Sequence, residues 1–371
     1  MGGLDFTPEA RFEERVEFAP RRFFRNRHVQ TLTCAVPLFA PPARLRAVPT
    51  ENLRVPIEDD GALLARGWFH PASDALATPR PTVLLLHGVG GSDASLYVVR
   101  AAVAFLDAGY HVVRLNLRGA GDSVRHVPSL YHMGLTSDVA AAISTLSADP
   151  RVGEIYVVGF SGGGNVMLKL AGEWGSAAPP AVAAIASLSA PLDLAAASEN
   201  IAQPRSFAYH AHVLRGLHRG ARGFLRHRGE RAPFSLRDLA RARSIRRFDE
   251  YVTGPMHAFA SVDTYYRTAS AGPLLSEVRV PSLVLHAKDD PMVPVATVSR
   301  ALEGASPAVR VEMTDRGGHL GWIVGDLAER GWTRTWAIER TMAFFRSIAE
   351  ARGTWAGVGE TAAPASSFMR A

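Results

Sequence analysis

The chain has 371 residues, 47% of them hydrophobic, and 41 Lys and Arg against 35 Asp and Glu give a net charge of +6. That length suits one large α/β domain carrying an insertion, or two ordinary domains. No apolar run is long enough to span a membrane, and the single cysteine, Cys34, excludes an intramolecular disulfide framework or a multi-thiolate metal site. The opening MGGLDFTPEARFEE places acids where a secretory signal needs a basic and then an apolar run, so a cytoplasmic protein is the expectation.

Residues 1–50 read as an irregular N-terminal arm, with Pro20, Pro37, Pro41, Pro42 and Pro49 interrupting any long element. Leu53–Ile57 and Leu63–Phe69 flank Glu58-Asp-Asp-Gly61 and predict a hairpin. From Thr82 the pattern alternates. Strands are expected at 82–87, 111–117, 154–160 and 182–188, with helices at 94–107 and 135–146 between them. Such alternation predicts a mostly parallel sheet with helices on both faces.

The alternation stops at Pro191 and resumes at Val280–His286. The intervening stretch is too long for a loop, at roughly 85 residues, and its apolar residues Val213, Leu214, Leu217, Ala221, Phe224 and Leu225 fall at near-helical spacing. A helical cap inserted over 191–275 is therefore expected, between core segments 51–190 and 276–350. The second core segment holds a helix near 295–302, a strand at 310–313 and a long helix about 328–349, before a flexible tail at 351–371.

The most informative stretch is Ile155-Tyr-Val-Val-Gly-Phe-Ser161-Gly-Gly-Gly-Asn165. A β-branched run ends in Gly-x-Ser-x-Gly and a helix-compatible stretch follows, which is the layout of a nucleophile elbow. The tight turn lifts the serine hydroxyl clear of the backbone and crowds positions 159 and 163, where glycine avoids a clash.

A serine hydroxyl needs a base, and the base needs an acid to orient it. Both follow in the chain order Ser, acid, His. After the strand at 280–286 comes Lys288-Asp289-Asp290-Pro-Met-Val-Pro294. Asp290 stands in the favoured register for the acid, and Asp289 beside it stays open; one of the two is expected only to cap the turn. His319, in Gly317-Gly-His-Leu-Gly321, sits on a glycine-rich loop after the 310–313 strand and is the candidate base. Negative charge developing on the substrate carbonyl needs two backbone N–H groups. Gly162 supplies one, and Val89, in Leu86-His87-Gly88-Val89-Gly90-Gly91-Ser92, the other. That loop carries no G-x-G-x-x-G or G-x-x-x-x-G-K-[ST], so it gives little support for phosphate cradling.

These motifs, with His28-Val-Gln-Thr-Leu32, Asn116-Leu-Arg-Gly119, Phe248-Asp-Glu-Tyr-Val-Thr253 and Tyr265-Tyr266, make the chain resemble an α/β-hydrolase. More specifically, it resembles the YheT-like branch related to the ABHD lipases and esterases. Gly162 departs from that pattern, which has Leu after the nucleophile. The resemblance implies the α/β-hydrolase fold, hydrolysis of short-chain or lipid acyl esters, and no metal or organic cofactor. An acyltransferase using the same triad is the alternative enzyme, and a non-catalytic binding protein on a hydrolase scaffold the alternative class.

Residues 201–250 hold 12 Arg and 4 acids, a local net charge of +8. Such a block could attract nucleic acid, phospholipid or an anionic substrate. No nucleic-acid module accompanies it, and a solvated helical face, without membrane contact, is the favoured reading.

Overall fold

The computed structural model describes residues 17–34, 50–70, 79–324 and 335–354. Most of the arm's prolines, the expected helix over 328–334 and the tail beyond 354 lie outside the described residues.

Eight strands form one sheet: β1 (Glu51–Pro56), β2 (Ala62–Trp68), β3 (Arg80–Leu86), β4 (His111–Leu115), β5 (Val152–Phe160), β6 (Val182–Leu188), β7 (Ser282–Ala287) and β8 (Val309–Thr314). Their order is β1-β2-β4-β3-β5-β6-β7-β8. β1 pairs antiparallel with β2, and β2 with β4; every other pairing is parallel. The hairpin and the alternating strands stand where the sequence predicts them.

The central strands are apolar on both faces because helices cover both. Along β5, Ile155 and Val157 enter one core with Leu84 and Leu86 of β3. Tyr156, Val158 and Phe160 enter the other with Val83 and Leu85. Helices α3 (Ser137–Ser147) and α4 (Gly162–Trp174) pack against the first face. Helices α2 (Leu96–Asp107) and α12 (Trp336–Ala351) pack against the second.

Between β6 and β7 the described chain is helical: α5 (Leu194–Ile201), α6 (Phe207–Arg228), α7 (Leu236–Arg241), α8 (Ile245–Phe248), α9 (Gly254–His257) and α10 (Val262–Ala269). The longest, α6, buries Tyr209, Val213, Ala221 and Phe224 and leaves most of its arginines exposed. The short α11 (Val295–Leu302) joins β7 to β8. Two elements depart from the irregular arm expected at the N-terminus: a 3-10 turn at Arg22–Arg25, and α1 at Arg27–Thr33, with the Asn26 side chain accepting from the N–H groups of His28 and Val29. An N-cap and seven residues free of proline are enough for two turns, which the nearby prolines obscure. No described helix is long and apolar enough to cross a membrane.

Candidate active site

Five loops leave the C-terminal ends of β3, β5, β6, β7 and β8, the edge at which open α/β sheets gather functional groups. Ser161 terminates β5 and precedes α4 with φ 51° and ψ −121°, a backbone conformation that costs a non-glycine residue on the order of 1–3 kcal/mol. Its neighbours explain how the turn closes. A Cβ on Gly159 would lie 2.5 Å from the Cα of Gly164, and one on Gly163 would lie 2.6 Å from the carbonyl oxygens of Leu86 and His87.

Asp290 sits on the turn after β7. Its Oδ1 accepts from the N–H groups of Met292 at 2.8 Å and Val293 at 2.9 Å. Its Oδ2 lies 2.8 Å from His319 Nδ1. Both side chains are buried. A carboxylate accepts only, so this contact places the imidazole proton on Nδ1 and leaves Nε2 with its lone pair. Ser161 and His319 line the same cavity. Asp289 points elsewhere: its Oδ1 accepts from the N–H of Gly318 at 2.8 Å, and burial pushes its pKa up.

The histidine loop is fixed by residues that sequence reasoning leaves without a role. The N–H of His319 donates to Thr31 Oγ1 at 2.9 Å, and Thr31 in turn donates to the carbonyl of Arg27 at 2.8 Å. Gln30, fully buried, accepts from the N–H of Ile323 at 2.8 Å and donates to its carbonyl at 2.9 Å. Ser189, after β6, accepts from the N–H of Leu320 at 3.3 Å. Leu320 and Trp322 both have positive φ, so the loop needs such ties to hold its shape. Buried Gln and Thr on a short helix were the available signal, visible only as part of the His28–Leu32 motif.

The two candidate oxyanion donors are neighbours. A Cβ on Gly162 would stand 3.4 Å from the backbone N of Val89. On either side of Val89 the N–H groups are already used: Gly88 donates to Tyr97 Oη at 2.9 Å and Gly90 to Tyr131 Oη at 2.7 Å. Behind the loop, His87 Nε2 accepts from the N–H of Leu117 at 3.2 Å and Nδ1 meets the carbonyl of Gly88 at 2.8 Å. Burial pushes the His87 pKa down to about 4, so it stays neutral and braces the loop.

A sequence profile described as alpha/beta hydrolase fold matches residues 81–326. The chain belongs to the α/β-hydrolase family. It is 30% identical over 328 residues to the Escherichia coli (strain K12) protein named "Putative esterase YheT", covering 88% of this chain and 93% of that one. It is 28% identical to Homo sapiens "Phospholipase ABHD3", with 72% and 65% covered. It is 29% identical to a Saccharomyces cerevisiae "Monoacylglycerol lipase", with 68% and 57% covered. Among solved structures, the Pyrococcus furiosus esterase Pf2001 superposes with a TM-score of 0.51 at 18% identity, over 82% of this chain and 94% of that one. The 2,6-dihydroxy-pseudo-oxynicotine hydrolase superposes at 0.54 and 15% identity, over 82% and 70%. Both likenesses are to the fold.

In this hydrolase the cavity holding Ser161 measures about 1000 Å³ and takes its walls from the β3 and β4 loops, α5, α6 and the histidine loop. Gly162 has a local reason. A Cβ there would lie 2.3 Å from Met133 Sδ and 2.8 Å from Val89 Cγ2, so the methionine thioether fills the place a side chain would take. Asn165 of α4 fixes that arrangement by donating to the carbonyl of Met133 at 2.8 Å. Deeper in the wall, Thr253 Oγ1 and Tyr266 Oη donate to the buried Asp249 at 2.8 and 2.7 Å, which accounts for the Phe248–Thr253 motif as a packing device.

Proposed function

We propose that this α/β-hydrolase cleaves carboxylic esters through Ser161, His319 and Asp290. The observation that carries the reading is the 2.8 Å contact of Asp290 with His319 Nδ1, in the cavity bordered by the strained Ser161. The Ser161 Oγ attacks the ester carbonyl carbon while its proton passes to His319 Nε2. The carbonyl electron pair moves to oxygen, which the N–H groups of Val89 and Gly162 stabilise. As the C–O bond breaks, the imidazolium returns the proton to the leaving alkoxide, releasing the alcohol and an acyl-enzyme. Water repeats the sequence and releases the acid. Asp290 keeps its negative charge throughout and holds the imidazole in register.

The helices between β6 and β7 serve in this reading as a lid over the acyl pocket, since α5 and α6 contribute cavity walls. An alcohol in place of water would make the same triad an acyltransferase. A Saccharomyces cerevisiae relative at 26% identity is named "Medium-chain fatty acid ethyl ester synthase/esterase 2", which keeps that second reading in view. Turnover of p-nitrophenyl esters of increasing chain length, with free acid released and no alcohol added, tests the hydrolase reading. Absence of turnover at every chain length would reject it.

A further inference from the structure

Near Ser161 the cavity is apolar, with Leu194, Val213, Met292 and Val293 among its walls. Its outer wall differs. Arg215, Arg219 and Arg226 of α6, and Arg125 opposite them, line the cavity. Among the described residues none of these four has an ion-pair or hydrogen-bond partner. Other arginines in this region do: Arg246 meets Asp263 at 2.7 Å and Arg247 meets Glu250 at 2.6 Å.

Positions 215, 219 and 226 fall on one side of a helix, and like charges spaced four apart weaken it. The wall offers little to offset them. Asp122 already meets Arg66 at 2.8 Å, and Asp249 is enclosed by Thr253 and Tyr266. The histidine on the same side, His212, has its pKa lowered by burial and by Arg215 and Arg219, so it stays neutral and the positive charge of this wall is that of the arginines.

The helix is seated so that these side chains stand at a defined reach from the chemistry. α6 crosses the Val89 loop at Gly216, where a Cβ would lie 2.3 Å from the Gly90 carbonyl oxygen. Arg219 to Arg226 then lie about 5–15 Å further along the axis at the usual rise per residue.

We propose that Arg125, Arg215, Arg219 and Arg226 form an anion subsite, and that the substrates are esters bearing a carboxylate or phosphate remote from the scissile carbonyl. This rests on the assignment of Ser161 as nucleophile. The anion can sit on either side of the ester, so two matched pairs test it. One pair is the mono-p-nitrophenyl ester of suberic acid against its neutral methyl-ended counterpart. The other is 1-decanoylglycerol 3-phosphate against 1-decanoylglycerol, both kept below micelle formation.

In at least one pair the charged ester should show a kcat/KM about tenfold higher, falling as salt is raised because the arginines are exposed. The first pair points to an anion on the acyl side, the second to one on the alcohol side. A quadruple Arg→Gln variant at 125, 215, 219 and 226 should bring the ratio close to one. The matched control R222Q/R231Q/R237Q/R243Q removes the same number of charges from arginines that do not line the cavity and should leave the ratio as it was.

Equal rates within both pairs for the unaltered protein overturn the proposal. So does a control variant that lowers the ratio as much as the quadruple one, which would make the basic face plain surface charge. A preference that appears only with anionic phosphatidylglycerol vesicles also overturns it, in favour of membrane docking. Failure to turn over even the neutral esters would instead count against the hydrolase reading itself.

Discussion

The hydroxyl of Thr31 accepts a hydrogen bond at 2.9 Å from the backbone N–H of His319, 288 positions away in the chain. The N-terminal helix is thereby fastened to the loop carrying the candidate base. A second contact runs the other way: His28 Nδ1 lies 2.7 Å from Tyr209 Oη of α6. α1 thus touches both the histidine loop and the helix lying over the Val89 loop.

Thr31→Val keeps the shape and removes the acceptor, leaving a buried N–H without its partner at a cost of about 1–3 kcal/mol. The expected result is a fall in kcat of about tenfold with a smaller change in KM, since Val keeps the shape of this cavity-lining side chain while the base loses its seat. Thr31→Ser should recover most of the rate. Steady-state kinetics on folded variants check this, and a purely structural role would lower the melting temperature without the selective loss of kcat.

Asp290→Asn should lower kcat by about 10⁴, as expected for loss of the carboxylate that orients a catalytic histidine. Asp289→Asn should cost far less, because an amide oxygen can still accept from Gly318. Stopped-flow or steady-state rates for the two variants give the ranking. The reverse order would move the acid to position 289.

Gly162→Ala places a Cβ against Met133 and Val89. The strain should displace the Val89 N–H and reduce kcat by about ten- to a hundredfold. Adding Met133→Ala opens the space, so the double variant should be more active than Gly162→Ala alone. That non-additivity, measured as a double-mutant cycle, distinguishes local crowding from general damage.

His87 links stability to pH. Its folded pKa is lowered from 6.5 to about 4, so the folded state holds its proton less tightly than the unfolded chain. The contribution is present above pH 6.5 and is lost as pH falls through 4, amounting to about 3 kcal/mol. His111 and His132, lowered to about 4 and about 3, add to the total, so denaturant unfolding at pH 7 and pH 4.5 should show a loss of stability that is smaller in His87→Asn by roughly the His87 contribution.

Much of the frame is legible in the sequence because its periods are strong. The apolar runs at 83–86 in β3 and 155–160 in β5 read as buried parallel strands, and Gly159 and Gly163 mark the turn around Ser161. The helical character of 207–228 follows from the spacing of Val213, Ala221 and Phe224. What is hidden is contact between distant positions. Nothing local links Thr31 to His319, or Met133 to the missing side chain at 162. Asp289 and Asp290 are alike in sequence, and only the direction each side chain takes from the turn separates them. The arginines of α6 read as a solvated face, and most of them are exposed. Which of them border the cavity depends on how α6 seats against Gly90, a matter of tertiary packing.

The most direct test of the assignment at Ser161 is mass spectrometry of the protein treated with a fluorophosphonate, with the adduct mapped to a peptide. A single phosphonyl adduct on the peptide containing Ser161 is expected, absent from Ser161→Ala and formed much more slowly by His319→Ala. No adduct on the folded protein, or an adduct on another residue that persists in Ser161→Ala, would contradict it.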